Sequence, residues 1–416
     1  MDLVSIISNI VHVVAELIWL NFMMLRWVVQ AFVEDDVLSR ASKTKWGNGR
    51  IPINMEGVLR PASLSSFMQY SENKQIERIV ERRPDGVVGD GAQGTRRAWV
   101  EVFFVDGTSQ RLFVKLHPTD TMIRSFINMV GLYDNEHFFF ANIASTIPPH
   151  LSVLTHCSRK VGSRCLYIQE DLYDSGHTLL SLVDTCDDQK IRAGLAALAE
   201  LHSVHWGAPY KIWNEANRAP FTRVITEGAG YAFGRKYPGL LDQDMWTLLN
   251  KVTRNWSRLT DHWRQPPLTL IHGDAHLGNV YFRKDGTAAF YDWQLVSADT
   301  PLCDVSYFLF FAASPENLAA KEKAYLQYYA KCLRGHLSKK GVEDIGMDDD
   351  RMWALYASRA VWSLLACTVT AGIGDFVPDK QLVRGFTQKV VQHVRRVNAM
   401  EEIDKIIAAS YANKAR

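Results

Sequence analysis

The sequence predicts an α+β chain of two lobes: a small antiparallel-sheet lobe carrying one helix, then a larger, mainly helical lobe, with an apolar helix ahead of both. Three observations lead there. Short β-branched and aromatic runs, separated by turn residues, fill the chain up to about residue 170. Long helical patterns follow, beginning at residues 190–205. The 416 residues are also too many for one small core. Strands first and helices afterwards is an α+β order, not an alternating one. The expected divisions are 1–33 for the N-terminal helix, 34–65 for a linker, 66–170 for the sheet lobe and 171–416 for the helical lobe.

Residues 4–32 are overwhelmingly apolar, interrupted by His12, Glu16, Asn21 and Arg26. The start, Met1-Asp2-Leu3, lacks the basic stretch of a secretory signal, and no A-x-A-like site follows. Glu16 and Arg26 also break the uncharged run that a spanning helix wants. Ser5, Asn9, His12 and Glu16 recur at helical spacing, so the first half reads as amphipathic. Such a helix can lie in a membrane interface, span a bilayer poorly, or pack on the protein itself; membrane association is the favoured reading. Arg40, Lys43, Lys45 and Arg50 follow and would keep the main body cytoplasmic if the helix spanned. The expected location is a cytoplasmic catalytic domain associated with a membrane surface through residues 4–32.

From 34 to 64 the chain loses periodicity and gains Gly, Pro, Ser and charge, which reads as a linker. A first strand is expected over 76–82, then a glycine-rich stretch over 86–94. Strands over 98–105 and 111–116 flank the turn Asp106-Gly107. A helix over 129–144 carries Glu136, and two strands, near Ser152 and over 165–169, complete a small sheet.

Composition excludes several classes. Apolar residues are 47% and charged residues 22%, which argues against wholesale disorder. The net charge is +2 with Lys and Arg interleaved among acids, so no basic stripe for nucleic acid is present. The six cysteines form no C-x-x-C pair, which leaves neither a metal-binding spacing nor a disulfide framework. They read as buried or indifferent thiols of a reducing compartment.

The chemistry concentrates in Ile271-His-Gly-Asp-Ala-His-Leu-Gly-Asn-Val280. Asp274 and Asn279 stand at the D-x-x-x-x-N spacing of a phosphoryl-transfer loop. That reaction needs a carboxylate to orient the attacking hydroxyl and accept its proton. It also needs oxygen ligands for the magnesium that bridges the phosphates. Asp274 suits the first task and the Asn279 carbonyl part of the second. After a hairpin turning at Asp285-Gly286 comes Asp292, at the strand end where a metal-holding aspartate is expected. His272 and His276 alone do not make a zinc site, because Gly273 and Gly278 argue against a helix there. Bracing the loop is the better role for His272.

Upstream, Gly89, Gly91 and Gly94 match G-x-G-x-x-G, a weak signal alone. A dinucleotide site would have a helix next. Here a strand follows, as in a loop that covers nucleotide phosphates, although Arg96 stands where Val is usual. Lys115, in Phe-Val-Lys-Leu, is placed to reach the α- and β-phosphates, with Glu136 as its partner. Singly, Lys115 reads as a snorkelling lysine and Glu136 as a solvated helix face. All five features in this order are hard to assign to chance.

On these residues the chain resembles the aminoglycoside phosphotransferase and choline kinase superfamily, and within it the ecdysteroid-kinase-like branch. The resemblance rests on His272-Gly-Asp274 with Asn279, Asp292-Trp-Gln, Asp304-Val-Ser-Tyr-Phe-Leu and Leu198-Ala-Glu-Leu-His-Ser-Val-His-Trp206. It covers roughly residues 66–371. It implies a protein-kinase-like two-lobed fold using ATP and Mg2+, with Asp274 as base and Asn279 and Asp292 as metal ligands. Lys115 with Glu136 would hold the phosphates, Glu170, Asp171 and Leu172 would form the hinge beside adenine, and Asp304 would brace the catalytic loop. The apolar N-terminus lies outside the resemblance.

A protein kinase is disfavoured, because Gly273 replaces the loop arginine and no A-P-E segment follows Asp292. The expected acceptor is a small molecule with a hydroxyl. Trp206, Trp213, Tyr231, Tyr237, Trp246, Trp263, Trp353, Tyr356 and Trp362 crowd the helical lobe, most of them as core. Some are expected to line an apolar or cation-accepting pocket. Glu343-Asp344 with Asp348-Asp-Asp350 would attract a polycation, or simply start a helix. Together with the N-terminus, these residues favour a lipophilic alcohol, sterol- or isoprenoid-like. A choline- or aminoglycoside-type acceptor, and a non-catalytic nucleotide sensor or scaffold, are the alternatives.

Overall fold

A computed structural model describes residues 3–32, 51–71, 74–84, 94–208, 223–373 and 379–414. They gather into two compact units. The first takes the described residues up to Ala144 together with Val153–His177. The second takes Ser145–Ser152 and the described residues from Thr178 onward.

The first unit opens with α1 (Leu3–Val29). Leu20, and Ala31 just past the helix, are buried, and Arg124 donates from Nη2 to the Ala31 carbonyl at 3.2 Å. Toward solvent the helix turns Val14, Ile18, Phe22, Leu25 and Val29, continued by Phe32, all large, apolar and exposed. Spacings of three and four residues put them on one stripe. The helix is therefore packed along one side and bare along the other. The polar face expected around Ser5, Asn9 and His12 lies outside the described side chains.

The five strands form one antiparallel sheet in the order β1 (Ile76–Glu81), β2 (Arg96–Phe104), β3 (Ser109–Leu116), β5 (Arg164–Glu170), β4 (Thr155–Val161). Period-two alternation sorts its residues. Ala98, Val100, Val102 and Phe104 share a buried core with Leu112, Val114, Leu116, Leu166 and Ile168. The same core takes in Val58 of α2 (Met55–Val58), Leu64 and Phe67 of α3 (Pro61–Met68), and Ile51. Residues 51–65 are thus not the linker that their Gly, Pro and charge suggested. Their few apolar side chains are 0–1% exposed at Ile51, Val58 and Leu64, and they anchor the segment. The rest of that expected linker, and Gly89 and Gly91 of the glycine-rich stretch, lie outside the described residues.

The helix expected over 129–144 is α5 (Leu132–Phe138), continued by a wider turn over Phe139–Ile143, and an unexpected helix, α4 (Thr121–Met129), precedes it. Asp120 starts α4 by accepting from Ile123 N at 2.8 Å. Gly131, at φ +76°, ends it and re-aims the chain into α5. The two strands expected near Ser152 and over 165–169 are β4 and β5, the first starting three residues later than Ser152.

In the second unit, β6 (Thr178–Leu179), β8 (Val280–Phe282) and β9 (Ala288–Phe290) form a small sheet, and β7 (Thr269–Ile271) pairs with β10 (Ser297–Asp299). The remainder is helical: α6 (Asp188–Val204), α7 (Arg223–Lys236), α8 (Gln243–Arg254), α9 (Trp256–Trp263), α10 (Leu302–Ala312), α11 (Pro315–Ser338), α12 (Asp349–Gly372), α13 (Lys380–Arg396) and α14 (Ala399–Lys414). Asp187, Asp242, Ser314, Asp348 and Asp379 cap five of them through their side chains. Each such cap contributes about 1 kcal/mol. Asp348 answers one sequence question, since part of the acidic run is a helix cap. Close packing of α6 on α10 depends on Gly194, where a Cβ would stand 2.1 Å from the Phe308 ring. That approach brings together the helices that carry His202 and Asp304.

Candidate active site

The loop from His272 to Asn279 leaves β7 and enters β8, with Asp304 at its base. The Asp304 carboxylate, 1% exposed in the first turn of α10, accepts from His272 N at 2.6 Å and Gly273 N at 2.8 Å. Gly273 has φ +80°, and a Cβ there would lie 2.0 Å from the Leu295 carbonyl oxygen. No other residue fits that turn without moving backbone. Behind Asp304 stands His202, Nε2 at 3.2 Å from Oδ2 and Nδ1 at 2.8 Å from the Tyr329 hydroxyl. The expected loop brace therefore has two further layers, His202 and Tyr329. Only His202 is marked in the sequence, by its motif.

His272 is wholly buried, and burial pushes its imidazole below its ordinary value, so it is neutral. Its Nδ1 accepts from Asp274 N at 3.3 Å, which leaves the proton on Nε2 to donate to the Tyr291 carbonyl at 3.1 Å. Both nitrogens are engaged. The ring also packs on Trp293, centroids 4.5 Å apart, and Trp293 donates to Ser152 Oγ at 3.1 Å.

Asp274 is the residue so presented. Its side chain is 25% exposed, so one part of the carboxyl group can meet a ligand. Asn279 Nδ2 donates to its Oδ2 at 2.9 Å and to its carbonyl at 3.0 Å, and His276 Nε2 stands 3.5 Å from the same Oδ2. Tyr307, one turn along α10 from Asp304, sets its ring edge-on to that of His276, centroids 5.8 Å apart. Desolvation raises the Asp274 pKa; the His276 and His272 rings oppose this, and the charge of Asp292 adds to it. The i, i+3 spacing of Asp304 and Tyr307 was the sequence signal for this tyrosine.

Asn279 spends its amide nitrogen on Asp274, which fixes the orientation of the group. Its Oδ1 makes no hydrogen bond among the described residues. Asp292 follows β9 at φ +64°, a left-handed conformation that costs a non-glycine residue roughly 1 kcal/mol or more. Tyr291 ties the two segments: its N–H donates to the Asn279 carbonyl at 3.1 Å and its hydroxyl to the Gly278 carbonyl. An outward amide oxygen and a nearby carboxylate suit a hard cation such as magnesium, which takes its other ligands from phosphate and water.

The remaining expected residues belong to the first unit. Lys115 Nζ on β3 lies 2.9 Å from both Oε1 and Oε2 of Glu136 on α5. The two residues are 4% and 1% exposed. Lys115 also stands 5.6 Å from the centroid of Tyr167, whose hydroxyl donates to the Tyr133 carbonyl. The Tyr133 hydroxyl in turn donates to the Gly94 carbonyl at 2.6 Å. Among the three predicted glycines, Gly94 alone is described, and this tyrosine pair ties it to the Lys115 pocket. Neither tyrosine carried a sequence signal. Glu170 ends β5 with its Oε1 accepting from Leu154 N at 3.0 Å. Asp171 accepts from Tyr173 N at 3.0 Å, burial raising its pKa, and Leu172 is buried. These three side chains stabilise the turn that leaves the sheet.

The model of the ecdysteroid kinase-like family matches residues 104–342, more than half of the chain. No curated protein sequence matches. Among solved structures the chain is similar to a choline kinase from Streptococcus pneumoniae, at 12% identity over 82% of this chain and 99% of that one, TM-score 0.45. It is similar to an ethanolamine kinase from Plasmodium vivax at 13% identity over 76% and 82%, TM-score 0.42. An amicoumacin kinase in complex with AMP-PNP and Ca2+ is similar at 15% identity over 80% and 89%, TM-score 0.43.

Proposed function

Because the chain belongs to the ecdysteroid kinase-like family, we propose that it is an ATP-dependent small-molecule kinase transferring the γ-phosphate to an alcohol hydroxyl. The observation that carries the reading is the Asp274 carboxylate, gripped at Oδ2 by Asn279 and still partly open to solvent. Burial raises its pKa above the ordinary carboxylate value, which makes the ionised group a better proton acceptor than an ordinary aspartate. Asp274 orients the acceptor hydroxyl and takes its proton as the oxygen attacks phosphorus. Lys115, aligned by Glu136, supplies positive charge for the nucleotide phosphates, and Gly89, Gly91 and Gly94 cover them. Glu170, Asp171 and Leu172 lie beside adenine through their backbone. Asn279 Oδ1 and Asp292 would hold Mg2+, which when bound neutralises phosphate charge.

The acceptor reading is a lipophilic alcohol, brought from a membrane surface by residues 4–32. The bare stripe of α1, from Val14 to Phe32, supports it. Of the aromatic residues in the second unit, Tyr237, Trp263 and Tyr356 are buried core, so they are not offered to a ligand. The acidic run gives little support to a polycation, with Asp348 capping α12 and Asp344 accepting from Gly346 N.

The test is a screen of hydroxylated lipids, sterols and amino alcohols with radiolabelled ATP, the products identified by mass spectrometry. A phosphorylated alcohol made by the wild type and lost in Asp274→Asn is the expected result. Tight ATP binding with no phosphorylated product across the screen would favour a nucleotide sensor.

A further inference from the structure

The second unit contains a depression of about 510 Å³ between α7, α8 and α12, whose lining does not include Asp274. That volume is ordinary for a small-molecule site. Its making is visible in α7, where Gly230 and Gly234, one turn apart, face the indole of Trp246 on α8. A Cβ at these positions would stand 3.5 and 3.2 Å from that ring. The two glycines let the indole lie directly against the α7 backbone, and Trp246 stays only partly exposed at the edge of the depression. Leu249, Thr253 and Thr368 form a buried floor. Tyr231 stands at the lip, 69% exposed.

The charge at the rim is the second observation. Arg235 and Arg254 both line the depression and are exposed, and neither has an ion pair or hydrogen bond among the described residues. Arg395 and Arg396, by contrast, are committed to Asp242 and Glu322. The one carboxylate in the lining, Glu227, already has a partner of its own. Both arginines stand in the last turns of their helices, where the macrodipole favours a cation. The dipole accounts for their charge, but not for a partly exposed indole and an exposed tyrosine beside them.

We propose that this depression binds an organic anion with a flat ring body. The ring would lie against the exposed side of Trp246 beside Tyr231, and a carboxylate, sulfate or phosphate would take the guanidinium donors of Arg235 and Arg254. The proposal does not rest on the kinase reading, since binding there requires neither ATP nor turnover.

Fluorescence titration of the full chain with 1-anilinonaphthalene-8-sulfonate tests it, with the uncharged N-phenyl-1-naphthylamine as control. The sulfonate should saturate one site and bind more tightly than the neutral amine. Its affinity should fall by about tenfold or more in Arg235→Ala/Arg254→Ala, the loss expected for hydrogen bonds to a charged group. It should also fall in Gly230→Leu, whose side chain fills the trough, while saturating ATP leaves it unchanged. The surface arginine variant should melt at the wild-type temperature, so its result stands even if Gly230→Leu fails to fold. Equal affinity for the charged and neutral probes, or sulfonate binding unchanged in the double arginine variant, means the probe lies elsewhere and overturns the proposal.

Discussion

Asn279 donates its side-chain nitrogen to Asp274 twice, to Oδ2 at 2.9 Å and to the backbone carbonyl at 3.0 Å. This one contact sets two things at once. It holds the carboxylate at a defined angle, and it leaves the Asn279 amide oxygen without a hydrogen bond among the described residues. Five residues of separation in sequence become a single rigid group because the loop between them is closed at its base by Asp304.

Asp274→Asn should lower turnover of the acceptor found by the screen by about 10²–10⁴-fold, the contribution of a general base. Nucleotide affinity should stay within about threefold of wild type. The same variant should gain stability at neutral pH. Burial raises the native pKa of Asp274, so the unfolded chain ionises first and the native state must carry a poorly solvated charge above that point. The penalty is absent below the unfolded value of about 3.9 and grows as pH rises through the native pKa. Urea unfolding from pH 3 to 8 reads it. A variant no more stable than wild type at pH 7 would contradict this account of the carboxylate.

Asp304→Ala should destabilise the chain by roughly 2–5 kcal/mol, since it leaves the buried His272 and Gly273 N–H groups without an acceptor and exposes His202 to the same loss. Denaturant midpoints measure this. A change under about 0.5 kcal/mol would mean that the loop is held by other contacts.

Asp292→Ala tests the metal reading. Calorimetric titration of ATP with and without Mg2+ should show that the ion tightens wild-type binding and no longer does so in the variant. Equal wild-type affinity with and without a divalent ion would remove Asp292 and Asn279 from the role of metal ligands.

The loop itself was legible because its spacing is short and local: Asp274, Asn279 and Asp292 are read from one stretch of sequence. Lys115 and Glu136 were legible as a pair only by their order, and the helix carrying Glu136 was started three residues early because Gly131 was not weighed as a break at φ +76°. Tyr133, Tyr167 and Tyr329 carried no signal, because each acts by a hydrogen bond to a segment distant in sequence. Residues 51–65 misled for the opposite reason. Ile51, Val58 and Leu64, spaced among Pro, Gly and polar residues without a helical or strand period, look like a linker until a sheet face is there to receive them.

The N-terminal helix supplies the last prediction. Its inner side is held to the first unit through Leu20, Ala31 and the Arg124 hydrogen bond, so crossing a bilayer would strip away contacts already made. Its outer stripe has no such partner among the described residues, with Ile18 66% exposed, Phe22 65% and Leu25 62%. A stripe of this kind lying in the headgroup region keeps the inner contacts and buries the outer side chains together. Full-length protein should therefore float with phosphatidylcholine–phosphatidylserine vesicles, and Ile18→Glu/Phe22→Glu/Leu25→Glu should stay in solution with an unchanged melting temperature. The triple variant alters only exposed positions, so it separates lipid contact from packing better than removal of the helix would. Wild-type protein that ignores vesicles and runs as a dimer, converted to a monomer by the same triple variant, would show that the stripe joins two copies of the chain and would end the membrane reading.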